Sequence, residues 1–299
     1  MIQQTAVSVT DKNALKLKLT STHSSLTSTA CNMDDLTIEI AGSNCAAGPG
    51  PVLIFLHGYG EDASAWEPFA RRVVAAAPMC RVLLPRAPVQ PEMGGKRSWF
   101  VYPRAVGASV KAGAAKGVPE ALQLLDALVG AQLRRGCALQ QVLLGGFSQG
   151  AGIALMGSLR PRADGQRFGA VLGLSTALPT LSGVAVGEAQ RATPVLLLHG
   201  GADKRVPAAK LDKTLAVLRR RRGSADGAAG DGLSDARLQT FGGLGHSRSD
   251  EEAAVACEWL APRMQASGAR VADSGGGGGS GVGGGSSGAG ASPSLLSKL

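Results

Sequence analysis

The chain offers no long apolar run. Its longest uninterrupted aliphatic and aromatic stretch is Val52 to Leu56, far short of the ~20 apolar residues that carry a helix across a bilayer. A helical membrane anchor is excluded. Aromatic residues make up only 4% of the 299 positions, and no basic stripe interleaves with them. The net charge of +9 therefore does not argue for nucleic acid as a partner, and reads instead as weak, transient attraction to anionic membrane surfaces. Cysteine is sparse and unpatterned: Cys31, Cys45, Cys80, Cys137 and Cys257 are odd in number, far apart and never in a C-x-x-C pair. That fits neither a disulfide framework nor a zinc site, and points to a reducing compartment. No Gly stands at position 2 and no C-a-a-X box closes the sequence, so neither end carries a lipidation signal.

What is present divides the chain into three. Residues 1–35 are rich in Ser and Thr and poor in acids, a composition close to a transit peptide; without an arginine in residues 1–30 or an apolar h-region, secretion is not expected and organelle import stays open. Residues 267–299 are dominated by Gly and Ser and read as a flexible tail. Residues 36–266 carry the globular domain.

In that domain, short aliphatic runs alternate with segments of helical spacing. The runs are Leu36 to Ile40, Val52 to Leu56, Arg81 to Leu84, Val142 to Leu144, Ala170 to Leu174 and Val195 to Leu198, and continuous apolarity predicts strands buried on both faces. The helical segments include Leu122, Leu125, Val129 and Leu133 behind Pro119, then Leu211, Leu215 and Leu218, then Ala253, Cys257, Leu260 and Met264. The alternation predicts an α/β fold with a mostly parallel central sheet flanked by helices on both faces. Gly223 to Gly232 reads as a low-complexity surface loop, and the run Arg219 to Arg222 as the cationic end of a helix.

The sequence QVLLGGFSQGA sets Gly146, Ser148 and Gly150 in a G-x-S-x-G pattern between an aliphatic strand and the helix-compatible run Ala151 to Leu159. That setting is a nucleophile elbow, a turn tight enough to need glycine beside the serine. Gly284, Ser286 and Gly288 repeat the pattern in the tail, but with no strand before it or helix after it, Ser286 is a decoy. In such folds the acid and then the base follow the serine in the chain. His246, the last histidine, lies in the glycine-rich GGLGHS loop after the predicted strand Ala236 to Phe241. Asp203 lies in HGGADKRVP on the loop leaving the strand Pro194 to Leu198, at the strand end where catalytic groups gather. His57 and His199 read as loop-bracing residues. An oxyanion needs two backbone N–H donors; Gln149, after the nucleophile, supplies one, and Tyr59 in His57-Gly58-Tyr59-Gly60 is the candidate for the other. Trp66, Trp99, Phe100 and Tyr102 either line an acyl groove or pack, and the first three are carried forward as candidate substrate contacts. The chemistry needs no cofactor and no metal.

Taken together, LIFLHGYGEDASAW (Leu53 to Trp66), LPRAPVQP (Leu84 to Pro91), SWF (Ser98 to Phe100), LGGFSQGA (Leu144 to Ala151), HGGADKRVP and GLGHS resemble the acyl-protein thioesterase and phospholipase/carboxylesterase family of α/β-hydrolases. The resemblance implies an α/β-hydrolase fold, a Ser148, Asp203 and His246 triad, and oxyanion amides on Tyr59 and Gln149. It also implies cofactor-free hydrolysis of S-acylated proteins, acyl-ester lipids such as lysophospholipids, and small carboxylic esters, in a mainly cytoplasmic setting. Two departures from the family pattern bear on chain-length preference: GGKR before SWF is short and basic, and Val101 stands where an Asp commonly follows SWF.

Overall fold

The computed structural model describes residues 37–45, 49–102, 116–179, 186–219 and 233–272, with side chains up to residue 265. The extension 1–35, the Gly/Ser tail with Ser286, most of 105–117, the insert 223–232 and Arg220 to Arg222 lie outside the described residues.

Strands β1 (Thr37–Ala41), β2 (Val52–Leu56), β3 (Arg81–Pro85), β6 (Val142–Phe147), β7 (Ala170–Leu174), β8 (Val195–Gly200) and β9 (Ala236–Phe241) form one sheet. Its order is β1-β3-β2-β6-β7-β8-β9. Only β1 is antiparallel, pairing with β3 from Thr37 opposite Pro85 to Ala41 opposite Arg81. Every residue of β2, β3, β6, β7 and β8 is buried, whereas the edge strands β1 and β9 are mixed. Central strands covered on both faces become continuous Val, Leu and Ile runs, and edge strands need not. A two-stranded hairpin, β4 (Val89–Gln90) with β5 (Lys96–Arg97), stands apart from the sheet.

From β2 the chain crosses to β3 on one side, and β6 later pairs on the other side of β2. Right-handed crossovers running in opposite directions place their helices on opposite faces. Accordingly α1 (Glu67–Ala76) and α5 (Asp250–Ala272) share one face, where Phe69, Val73, Ala256, Leu260 and Met264 pack on Phe55, Val82 and Leu198. Helices α2 (Val118–Arg134), α3 (Ser148–Leu159) and α4 (Ala208–Leu218) cover the other, with Leu125 and Ile153 on Ile54 and Leu144, and Leu211 and Leu215 beside Leu197. The strand order reverses between β2 and β6, and it is at the carboxyl ends of strands at such a switch point that α/β sheets bind ligands.

The structure refines the sequence expectations in four places. β6 runs on through two glycines to Phe147, and α3 begins at Ser148 itself rather than at Ala151. Helix α1 and the β4–β5 hairpin were not expected. Helix α5 continues to Ala272, past the boundary placed at 266. Helix α4 closes at Leu218 with Arg219 as its cap, and Leu233 N–H donates to Leu218 C=O at 2.9 Å, so the described residues on either side of 220–232 meet at one point. Among the described residues no helix is long and apolar enough to cross a membrane.

Candidate active site

Ser148 sits at the junction of β6 and α3 with φ +51°, a left-handed conformation that strains a non-glycine residue by roughly 1–3 kcal/mol. The strain is held in place from several sides. A Cβ on Gly150 would stand 2.4 Å from both the Leu56 and His57 carbonyl oxygens, and one on Gly146 2.6 Å from Leu56 O, so strand β2 and the elbow pass at a separation only glycine permits. Thr176 donates its hydroxyl proton to Ser148 C=O at 2.7 Å.

Ser148 Oγ lies 2.8 Å from His246 Nε2, and His246 Nδ1 lies 2.7 Å from Asp203 Oδ2. The other carboxylate oxygen, Oδ1, accepts Arg205 N–H at 2.8 Å and Val206 N–H at 2.9 Å. Burial alone would raise the Asp203 carboxyl, but the Val206 amide, His246 and the Arg205 amide together hold it below its ordinary value. An ionised Asp203 accepts Nδ1–H, which leaves the Nε2 lone pair facing the serine hydroxyl. The loops carrying acid and base are stitched to each other: Gly201 N–H donates to Phe241 C=O at 2.7 Å and Ala202 N–H to Leu244 C=O at 2.9 Å. A Cβ on Gly200 would meet Leu244 O at 2.3 Å and Gly245 O at 2.5 Å. His199 serves this loop rather than a metal, donating Nε2–H to Val206 C=O at 2.9 Å. Among the described residues no group of His, Cys, Asp or Glu could hold a metal ion.

On the facing side, His57 is buried in the β2 loop, donating Nδ1–H to Gly58 C=O (2.7 Å) and accepting Ala87 N–H on Nε2 (3.0 Å). Burial lowers its pKa and keeps the ring neutral, as a brace requires. Tyr59 follows it, and neither the Tyr59 nor the Gln149 amide hydrogen has a partner among the described residues. Other acids that follow Ser148 in the chain lie elsewhere: Asp164 pairs with Arg162, Asp235 with Arg237, and Asp212 lies on α4.

The candidate substrate contacts divide. Trp66 is 1% exposed, packed among Phe55, Phe69 and Phe147, and donates Nε1–H to Glu61 Oε2, which also accepts Gly58 N–H. Trp99 and Phe100 are likewise buried, and their polar groups are engaged with Gln149 and His57. All three side chains are buried here, the packing alternative of the sequence reading: Trp66 in the core, Trp99 and Phe100 behind the site. Tyr102 differs. Exposed on its outer side and edge-on to Tyr59 and Phe100, it brings its hydroxyl to Ser148. Burial of that end raises its pKa, against the opposing effect of Ser148. Sequence reasoning missed the Thr176 and Gln149 side-chain bonds, which no spacing announces; the paired glycines Gly200 and Gly201 at the end of β8 were a signal for the loop crossing there.

Residues 44–260 match the phospholipase/carboxylesterase family. The chain belongs to that family. Family membership makes it an ester-hydrolysing enzyme with an α/β-hydrolase fold. It is 29% identical over 214 residues to acyl-protein thioesterase 1 of Gibberella zeae, covering 67% of this chain and 85% of that protein. To acyl-protein thioesterase 1 of Mycosarcoma maydis it is 27% identical over 219 residues, 68% of this chain and 87% of the relative. The crystal structure of acyl-protein thioesterase 2 from Zea mays shares the fold at a TM-score of 0.59 with 23% identity, covering 76% of this chain and 98% of that one. Esterase PE8 shares it at 0.59 with 24% identity, over 75% and 96%.

Proposed function

We propose that this chain hydrolyses fatty-acyl thioesters of S-acylated proteins, and related carboxylic esters, through an acyl-enzyme on Ser148. The observation that carries the reading is the unbroken hydrogen-bonded line Asp203 Oδ2, His246 Nδ1, His246 Nε2, Ser148 Oγ, with both gaps under 3 Å at 2.7 and 2.8 Å. His246 takes the Ser148 proton as Oγ attacks the acyl carbonyl, then returns it to the departing thiolate or alkoxide. Water deprotonated by the same Nε2 then attacks the acyl-enzyme and the fatty acid leaves. Asp203 holds the imidazole in the required tautomer and stabilises its cation. Tyr59 and Gln149 N–H donate to the developing oxyanion.

The thioester substrate class is supported by the name that the fungal relatives carry. In this reading residues 36–266 are the catalytic unit. It works in the cytoplasm on acylated proteins or acyl-ester lipids at anionic membrane surfaces, to which a net charge of +9 draws it. A second reading, a short-chain carboxylesterase, is favoured by the short, basic GGKR segment before Ser98; a lysophospholipase would share the first reading's need for long-chain room.

The deciding experiment compares kcat/KM for octanoyl to palmitoyl thioesters with that for acetyl and butyryl esters and for a lysophospholipid, with Ser148→Ala as control. Preference for long thioesters, lost in the control, is the expected result. Preference for short esters moves the assignment to the second reading. No turnover on any of them identifies a non-catalytic hydrolase-fold receptor, and full activity of Ser148→Ala overturns the site.

A further inference from the structure

The two oxyanion donors come from distant parts of the chain, Tyr59 after β2 and Gln149 at the start of α3. Their separation must hold to a few tenths of an ångström for both to reach one oxygen. Neither β2 nor β6 fixes the Tyr59 loop by itself, because that loop projects beyond the last paired residues, Leu56 and Gly146. A third segment, Arg97 to Phe100, touches both halves. On the Tyr59 side, Arg97 C=O accepts Gly60 N–H at 2.8 Å, and Trp99 Nε1–H donates to His57 C=O at 2.7 Å. The two bonds bracket Tyr59 from its neighbours. On the other side, the Gln149 side chain accepts Trp99 N–H on Oε1 at 2.8 Å and donates Nε2–H to Phe100 C=O at 2.7 Å. Ser98 completes the clamp, its hydroxyl donating to Phe100 C=O at 2.6 Å and accepting Gln149 Nε2–H at 3.0 Å.

The orientation of the Gln149 amide is determined, since only an oxygen can face Trp99 N–H and only an NH₂ can face Phe100 C=O. Gln149 and Ser98 are 3% and 0% exposed, so water does not compete for these bonds. The Trp99 indole also lies against the His57 ring, at 5.2 Å between centroids.

We propose that the Gln149 side chain and the Trp99 indole form one brace that sets the distance between the two oxyanion amides, making both positioning residues for transition-state stabilisation. The proposal rests on the acyl-enzyme reading and deepens it. Gln149 then has two tasks: its main-chain N–H meets the oxyanion, and its side chain ties that amide through Trp99 to the carbonyl of His57, two residues before the other donor.

The test uses the full chain with Gln149→Met, which keeps length and loses both bonds, and Trp99→Phe, which keeps an aromatic ring and loses only the bond to His57. Four quantities are read for each: kcat, KM, the inhibition constant of an alkyl trifluoromethyl ketone that adds to serine as a tetrahedral oxyanion, and the pH profile of kcat/KM. Removing an oxyanion donor outright costs about 10²–10³ in kcat. Displacing one should cost less, about tenfold or more for Gln149→Met and severalfold for Trp99→Phe, with KM and the pH midpoint unchanged because the Asp203–His246 pair is untouched. Ketone affinity should fall in step with kcat/KM. A double variant little worse than Gln149→Met alone identifies one shared brace. If Gln149→Met does not fold, Trp99→Phe decides alone on the same readouts. A lowered melting temperature with kcat and ketone affinity within about twofold of wild type overturns the brace, as does a loss confined to KM. If Ser148→Ala is active as well, the acyl-enzyme reading falls, whereas an inactive Ser148→Ala beside normal brace variants sinks the brace alone.

Discussion

Replacing Asp203 by asparagine tests the proton geometry with the smallest steric change. The Arg205 and Val206 amides both donate to Oδ1, at 2.8 and 2.9 Å, and two N–H donors tolerate only an oxygen there. In Asp203→Asn the amide oxygen therefore takes the Oδ1 place, and the NH₂ is turned toward His246 Nδ1, 2.7 Å from the wild-type Oδ2. The ring must accept at Nδ1, which moves its proton to Nε2. Nε2 then donates to Ser148 Oγ and has no lone pair with which to accept the serine proton. The outcome expected from this wrong tautomer is a fall in kcat of about 10³–10⁴, equivalent to ~4–5.5 kcal/mol of barrier. The loop keeps both amide bonds, so the melting temperature should change by only a few degrees. Steady-state hydrolysis of a p-nitrophenyl octanoate ester, alongside thermal melting, reads both. A kcat within tenfold of wild type in a folded Asp203→Asn enzyme would refute the reasoning, because His246 would then be oriented by something other than this carboxylate.

Two further outcomes follow from positions outside the triad. Gly200→Ala places a methyl 2.3 Å from Leu244 O and 2.5 Å from Gly245 O, so the His246 loop must retreat; kcat should drop by at least tenfold, with about 1–3 kcal/mol lost in urea unfolding from the forced backbone shift, and an unaffected kcat would show that the loop has slack. Glu252 on α5 is 1% exposed, its Oε1 has no partner among the described residues, and burial pushes its carboxyl up to about 7. Below the unfolded value near 4.5 both states are protonated. Between there and 7 the unfolded chain releases the proton first, so the native state is progressively disfavoured as pH rises. Relative to wild type, Glu252→Gln should gain up to about 3 kcal/mol of stability between pH 5 and pH 8, measured by urea titration at each pH; a difference that is flat with pH would show that Glu252 ionises normally.

Strands β2, β7 and β9 were legible to the residue because each apolar or alternating run ends in turn-forming residues. β6 was read short, since Gly145 and Gly146 carry no β preference, although their missing side chains are what let the strand reach the elbow. The hairpin strands contain only two residues each, too few for any period to register. That Ser148, Asp203 and His246 would meet was readable because each stands in a pattern tied to a strand end. The fates of Trp99 and Phe100 were not, since aromatic residues near a nucleophile look the same in sequence whether they face a substrate or lie behind an amide. What decides between these is a set of hydrogen bonds to Gln149 and His57 made across long sequence separations, and composition holds no trace of such pairings.

The cross-stitching of the Asp203 and His246 loops has a practical corollary. In sequence, acid and base are separated by α4, the segment 220–232 and β9, yet their spacing is set locally by Gly201 to Phe241 and Ala202 to Leu244. The segment itself departs after Arg219 and returns at Leu233, whose amide bonds Leu218. Lengthening a loop between fixed anchors costs only about 0.6 kcal/mol per doubling, so residues inserted between these two anchors should load neither the sheet nor the stitched loops. The paired anchors Arg219 and Leu233 thus make a natural socket for a reporter peptide or a fused domain, one that would ride on the enzyme while the Asp203 and His246 loops stay buttoned together.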